Sequence, residues 1–197
     1  MASYDGSKFF GFQTQHGAVN TVMESFERAL SKCGIFHKPL YAGRTDAGVH
    51  ATFQPIAFDV DEFWAKKITA HGGTILLNTI NAKLPDSIRI KKLYEVSDDF
   101  HPRFDAKARK YRYIVSLNEK NPFWADYVTY ESPNLDMSAI KEAISLFVGT
   151  HDFAMFRKKG SDKKTTVRII KKVSVYEKNG FLVFVFVGNS FLRSQIR

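Results

Sequence analysis

The chain has 197 residues and a formal charge of +9, from 29 Lys and Arg against 20 Asp and Glu. Its hydrophobic fraction of 44% supplies a core for one large domain or two small ones, and excludes an intrinsically disordered chain. The single cysteine, Cys33, excludes a disulfide framework or cysteine-based zinc site, and no signal peptide or membrane-spanning run is present, so a reducing cytoplasmic compartment is expected.

In chain order, Asn20 or Thr21 caps a helix with Val22, Phe26, Ala29, Leu30 and Cys33 on one face, stopped by Gly34. That stripe predicts a buried, structural Cys33. A loop follows, then a strand over 50–60 with Phe58 and Val60 on one side. Residues 61–82 read as helix interrupted at Gly72-Gly73. Strands are predicted over 88–96 and 106–117, and then a loop containing Asn121-Pro122 and Ser132-Pro133. Asp136 caps a helix bearing Met137, Ile140, Ala143, Ile144 and Phe147, which ends at Gly149. Residues 167–176 and 181–187 read as paired strands joined at Asn179-Gly180, a strong hairpin signal. The order of elements predicts two α+β units, each with its helices on one side of an antiparallel sheet. The boundary falls near 100–105, giving an N-terminal half over 1–104 and a C-terminal half over 105–197.

The charge points to a polyanionic partner such as nucleic acid or an anionic membrane surface, and no amphipathic basic helix argues for a membrane. One basic group is Arg103, Lys107, Arg109, Lys110 and Arg112. The other is Arg157, Lys158, Lys159, Lys163, Lys164 and Arg168. Aromatic residues lie among or beside both, as a surface that grips phosphates and stacks bases requires; a solvated lysine-rich face is the alternative.

Residues 43–51 read Gly-Arg-Thr-Asp-Ala-Gly-Val-His-Ala. A carboxylate between two glycines stands where the backbone turns tightly and a bulky substrate can approach. Taken alone, Thr45-Asp46-Ala47-Gly48 also reads as an ordinary turn in which Asp46 bonds its own backbone. The whole run resembles the tRNA pseudouridine synthases of the A type. The resemblance extends to Tyr4-Asp5-Gly6 with Phe10-Gly11-Phe12-Gln13 and Gln15, and to Asn81-Ala82-Lys83-Leu84-Pro85. It continues through Phe100-His101-Pro102-Arg103-Phe104 with Ala108-Arg109-Lys110-Tyr111-Arg112-Tyr113. It ends with Gly149-Thr150-His151-Asp152-Phe153 and Phe156, then Thr166-Val167-Arg168. The matches run in the family's order along the chain.

The resemblance implies an α+β fold of two ferredoxin-like halves sharing a central antiparallel sheet, with helices on one side and an RNA-binding cleft between the halves. It implies isomerisation of uridine to pseudouridine in the anticodon arm of tRNA, by a homodimer. The alternatives are a synthase acting on another RNA, or a basic RNA-binding fragment without turnover. The reaction needs no metal and no nucleotide or redox cofactor, and the chain carries no phosphate-cradling glycine loop and no histidine pair at ligand spacing. It does need a carboxylate near the ribose and C6, which the resemblance assigns to Asp46. Arg197 matches the basic residue that keeps this carboxylate ionised against desolvation; it also reads as a charged chain end. Tyr111 matches the tyrosine that stacks on the target uracil, and alternation puts Lys107, Arg109 and Tyr113 on its face, with Lys110 and Arg112 opposite. Arg44 matches an arginine that contacts RNA near the flipped nucleotide. The RNA backbone is assigned to Arg103, Lys107, Arg109, Lys158, Lys159, Lys163 and Lys164. His50 is expected to order its loop, His151-Asp152 to be structural and Asp5 to be a turn residue. Compared with the family, most of the first strand and the segments after residue 197 are expected to be missing.

Overall fold

Three residues, Ala2–Tyr4 (β1), form the middle strand of the first sheet in a computed structural model that describes residues 1–15, 17, 20–158 and 165–196. The molecule divides into two compact units, Met1–Ala106 and Lys107–Arg197, and the fold class is α+β.

In the first unit Thr21 caps α1 (Val22–Ser31), its hydroxyl accepting from Glu24 N at 3.3 Å. Val22, Met23, Phe26, Ala29 and Leu30 are buried. The helix closes with Gly34 at φ +79°, Gly34 N donating to Ser31 O at 3.0 Å and Ile35 N to Leu30 O at 3.0 Å. Ile35, just past the glycine, is buried as that closure favours. Cys33 therefore lies beyond the helix end and is half-buried, which corrects its expected place on the helical stripe. Burial pushes its thiol pKa up, partly offset by Lys83, as suits an unreactive thiol.

Short strands follow: β2 (Leu40–Tyr41), β3 (Ala51–Gln54) and β4 (Ile56–Ala57). The single strand expected over 50–60 is split at Pro55, which has no N–H to give a ladder. Its first piece pairs with β1 and its second with β2, and Phe58 and Val60 pack against the core as expected. Asp61 caps α2 (Glu62–His71), Gly72 at φ +77° ends it, and α3 (Thr74–Asn81) follows. Buried Trp64 donates its indole N–H to Cys33 O at 2.8 Å. β5 is only Ile88–Ile90, shorter than the predicted 88–96, and residues 91–96 form no strand. Its partner β1 runs for three residues, so the ladder has nowhere to continue. The first sheet has the order β3-β1-β5 over a core of Tyr4, Phe12, Phe26, Leu30, Trp64, Leu76 and Ile80.

The second unit is a five-stranded sheet in the order β7-β6-β10-β9-β8. Its strands are β6 (Arg109–Ser116), β7 (Thr129–Tyr130), β8 (Gly149–Asp152), β9 (Val167–Lys178) and β10 (Phe181–Gly188), with α4 (Met137–Ser145) against it. The β9–β10 hairpin turns at Asn179, φ 53°, and Gly180, φ 74°, the pair of left-handed residues that a two-residue type I′ turn requires. Asp136 caps α4 by accepting from Ser138 N and Ala139 N. Met137, Ile140 and Ile144 pack on Val115, Val175 and Leu182. Among the described residues no helix is long and apolar enough to cross a membrane.

Candidate active site

The loop holding Asp46 is fixed at many points by backbone and side-chain bonds. Ala42 N donates to Pro55 O at 3.1 Å, and the Gln54 side chain donates to Gly43 O at 2.6 Å. The hydroxyls of Tyr4 and Thr45 are 2.8 Å apart, and Phe12 N donates to Thr45 O at 3.1 Å. Val49 N closes a turn onto Asp46 O at 3.2 Å, with Gly48 at φ +76° where such a turn needs a left-handed residue. Asp46, half-buried, is the first residue of that turn.

Gly6 lets the N-terminal segment press against this loop, and Gly11, at φ +106°, turns the chain beside it. A Cβ on Gly6 would lie 2.1 Å from Val49 O, and one on Gly11 would lie 3.4 Å from Thr45 O. Beside Gly6, the Asp5 carboxylate caps the short 3-10 turn Gly6–Lys8, and His50 Nδ1 lies 3.0 Å from Asp5 Oδ1. Arg44 is exposed, with its Nε 3.4 Å from the hydroxyl of Tyr41, whose ring meets Phe12 edge-on at 5.0 Å. Arg103, also in the first unit, is exposed with its guanidinium 5.7 Å from the Phe104 ring.

In the second unit Tyr111 sits on β6 opposite Phe186, half-buried, with its ring edge-on to Phe191 at 4.9 Å. Arg109, Tyr111 and Tyr113 are half-buried while Lys110 and Arg112 are exposed, as strand alternation predicts. Lys107 precedes the strand and is exposed. Arg109 donates to Asn189 O at 2.6 Å, and Lys107 O accepts from Lys171 Nζ at 2.9 Å. Lys158 is exposed, and its backbone N–H bonds Arg193 O at 3.0 Å. Lys159, Lys163, Lys164 and Arg197 lie outside the described residues.

Arg168 departs from its place in the second basic group. It is only 6% exposed, on the strand face shared with buried Ile170, and it donates through Nη1 to the carbonyls of Thr165 and Val167. Burial lowers the pKa of its guanidinium. It is a structural arginine and no part of a phosphate-binding surface. His151 Nε2 lies 2.9 Å from Val148 O and Asp152 accepts from Ala154 N at 2.9 Å, so both brace local backbone, as expected. A bond from the Thr166 side chain, helped by Ala154 N–H and Arg157, lowers the pKa of Asp152.

Sequence reasoning missed the braces on Thr45 from Tyr4 and Phe12. The sequence signal for them is Gly11 beside Phe12, a buried aromatic, which makes sense only once that glycine is seen against the loop.

Comparison with known proteins agrees with the motifs. The family model described as tRNA pseudouridine synthase matches residues 1–105 and 143–197. A tRNA pseudouridine synthase A of Thermosipho africanus is 43% identical over 99% of this chain and 78% of its own length. One from Thermotoga sp. (strain RQ2) is 43% identical over 100% of this chain and 78% of its own length. That of Wolinella succinogenes is 39% identical over 98% of this chain and 74% of its own length. With the family model covering both units and relatives matched along nearly its whole length, the chain belongs to the tRNA pseudouridine synthase family.

Proposed function

We propose that this chain isomerises uridine to pseudouridine in tRNA, at positions in the anticodon stem-loop, with Asp46 as the reacting carboxylate. The observation that carries the assignment is the loop itself: a half-buried aspartate heads a turn whose backbone is held on both sides and approached by glycines. Family membership supplies the reaction. The N1–C1′ bond breaks, the uracil turns, C5 bonds to C1′, the C5 proton leaves and N1 gains a proton. Atoms and electrons balance with no cofactor. A carboxylate held rigidly beside the ribose and C6 serves as nucleophile or base without reorganising during the reaction.

The target base must leave its stack, and an aromatic face offsets part of that cost. Tyr111 is proposed for that face. Arg44, exposed beside Asp46, is proposed to hold the RNA next to the flipped nucleotide, and Arg197 to keep Asp46 ionised. The RNA backbone would lie along Arg103, Lys107, Arg109, Lys158, Lys159, Lys163 and Lys164. The protein is proposed to act in the cytoplasm as a homodimer. The test is incubation with unmodified tRNA followed by pseudouridine mapping, with Asp46→Asn alongside. Turnover is expected to vanish in that variant while tRNA affinity changes little, since affinity comes mainly from phosphate contacts. Substantial turnover by Asp46→Asn would falsify the assignment.

A further inference from the structure

At the far end of the Asp46 loop, His50 and Asp5 form a titratable pair for which the chemistry above has no use. His50 Nδ1 lies 3.0 Å from Asp5 Oδ1 and 3.1 Å from the backbone N of Gly6. One nitrogen cannot donate to the carboxylate and accept from the amide at once. Gly6 N–H is placed to donate to Nδ1 and the Asp5 carboxylate lies against the same nitrogen, so whichever bond Nδ1 makes ties the ring to the Asp5-Gly6 segment. Asp5 is itself held: Oδ1 accepts from Ser7 N at 3.0 Å and Ser7 Oγ at 2.7 Å, and Asp5 N donates to Ser87 O at 2.9 Å.

We propose that Asp5 and His50 are a positioning pair that fixes the C-terminal side of the Asp46 turn, and through it the aim of the Asp46 carboxylate. Between Asp46 and His50 lies a single turn closed by Val49 N to Asp46 O at 3.2 Å, so a displacement of His50 is carried directly to Asp46. Gly6 packs so tightly on Val49 that a Cβ there would lie 2.1 Å from Val49 O, and the two backbones move only together. The N-terminal side of the turn is held independently at Thr45, by Tyr4 and by Phe12 N. Asp46 thus stands between two clamps, one of which is a side-chain pair. Tied through Nδ1 to the Asp5-Gly6 segment, His50 orients the loop.

This role rests on the proposed chemistry of Asp46, so Asp46→Asn is assayed beside the His50 variants. Single-turnover rates with saturating unmodified tRNA are compared for His50→Asn and His50→Gln, with thermal melts and tRNA affinities measured on each. The asparagine amide takes the place of Nδ1 and keeps a bond to the Asp5-Gly6 segment, whereas the glutamine amide reaches the place of Nε2. His50→Asn is expected to keep turnover within about fivefold of the parent and His50→Gln to fall about 100-fold, with tRNA affinity little changed in both. Adding Asp5→Ala to His50→Gln is expected to cost little more, since the bond is already gone. If His50→Gln does not fold, Asp5→Ala carries the test, because it removes the carboxylate from the pair. A loss near 100-fold in a folded protein supports the pair and one within about fivefold overturns it. Equal rates for His50→Asn and His50→Gln, with Asp46→Asn inactive, overturn the pair and leave Asp46 standing. Turnover by Asp46→Asn removes the Asp46 assignment and this role with it.

Discussion

The hydroxyls of Tyr4 and Thr45 lie 2.8 Å apart, which ties the central strand of the first sheet to the residue immediately before Asp46. Tyr4 is 4% exposed, and its ring also packs against Phe12 at 5.8 Å. Tyr4→Phe keeps the packing and removes this bond to Thr45. The expected cost is about 1–2 kcal/mol of stability in denaturant melts, with a drop in turnover as the loop loosens. Unchanged stability and unchanged turnover together would show that the bond does not order the loop.

Gly6 and Gly43 separate two meanings of a loop glycine. A Cβ on Gly6 collides with the backbone of Val49, which cannot swing aside as a side chain would, whereas one on Gly43 meets nothing within 4 Å. Gly6→Ala is expected to lose about 1–3 kcal/mol and to impair turnover. Gly43→Ala, whose backbone angles suit any residue, is expected to gain up to about 1 kcal/mol by restricting the unfolded chain. Thermal melts of the two variants decide it, and a Gly6→Ala protein as stable as the parent contradicts the close approach.

For Tyr111 the structure supplies a packing role that must be separated from the proposed stacking role. Tyr111→Leu removes the edge-on packing against Phe191, worth about 0.5–1.5 kcal/mol of stability, while Tyr111→Phe keeps it. If the ring also stacks on the target base, the phenylalanine variant should bind substrate RNA better than the leucine variant by about 1–3 kcal/mol. Equal RNA affinity of the two, with a difference only in stability, would mark Tyr111 as a core residue.

The basic group around Lys158 is tested by its salt dependence. Changing Lys158, Lys159, Lys163 and Lys164 to Gln should weaken binding to many RNAs alike. For every duplex phosphate that a lysine no longer neutralises, the slope of log affinity against log salt should flatten by about one unit. Arg168→Met should leave that slope alone, because the arginine is buried, and should instead cost about 1–3 kcal/mol of stability by unpairing the carbonyls it serves. An unchanged slope in the lysine variant would make those residues a solvated face.

How much of this was legible in the sequence depends on whether the signal was local. Thr21 and Asp136 as caps, Gly34 as a stop, Gly72-Gly73 as a break and Asn179-Gly180 as a turn could all be read, since a few adjacent residues dictate each. The lengths of β1 and β5 and the split at Pro55 could not, because partner strands far along the chain set them. Periodicity put Cys33 on a helix that in fact ends at Ser31, where the Gly34 motif closes it. Arg168 looked like one more surface cation, and its burial follows from sharing a strand face with Ile170. Asp46 stood out through its neighbours in sequence, whereas the clamps from Tyr4, Asp5 and Phe12 depend on the fold bringing distant segments together.

The edge of β5 carries one further consequence. Asn81, 8% exposed at the end of α3, donates to Ile90 O at 3.0 Å and accepts from Ile90 N at 2.8 Å, while Ile88 N bonds Pro85 O at 2.9 Å. The outer side of this short strand is therefore already engaged by its own chain. A foreign strand seeking a template would find the peptide groups of Ile90 taken and little ladder left to extend. One buried amide thus guards the sheet margin against self-association, a safeguard for a unit whose central strand is only three residues long.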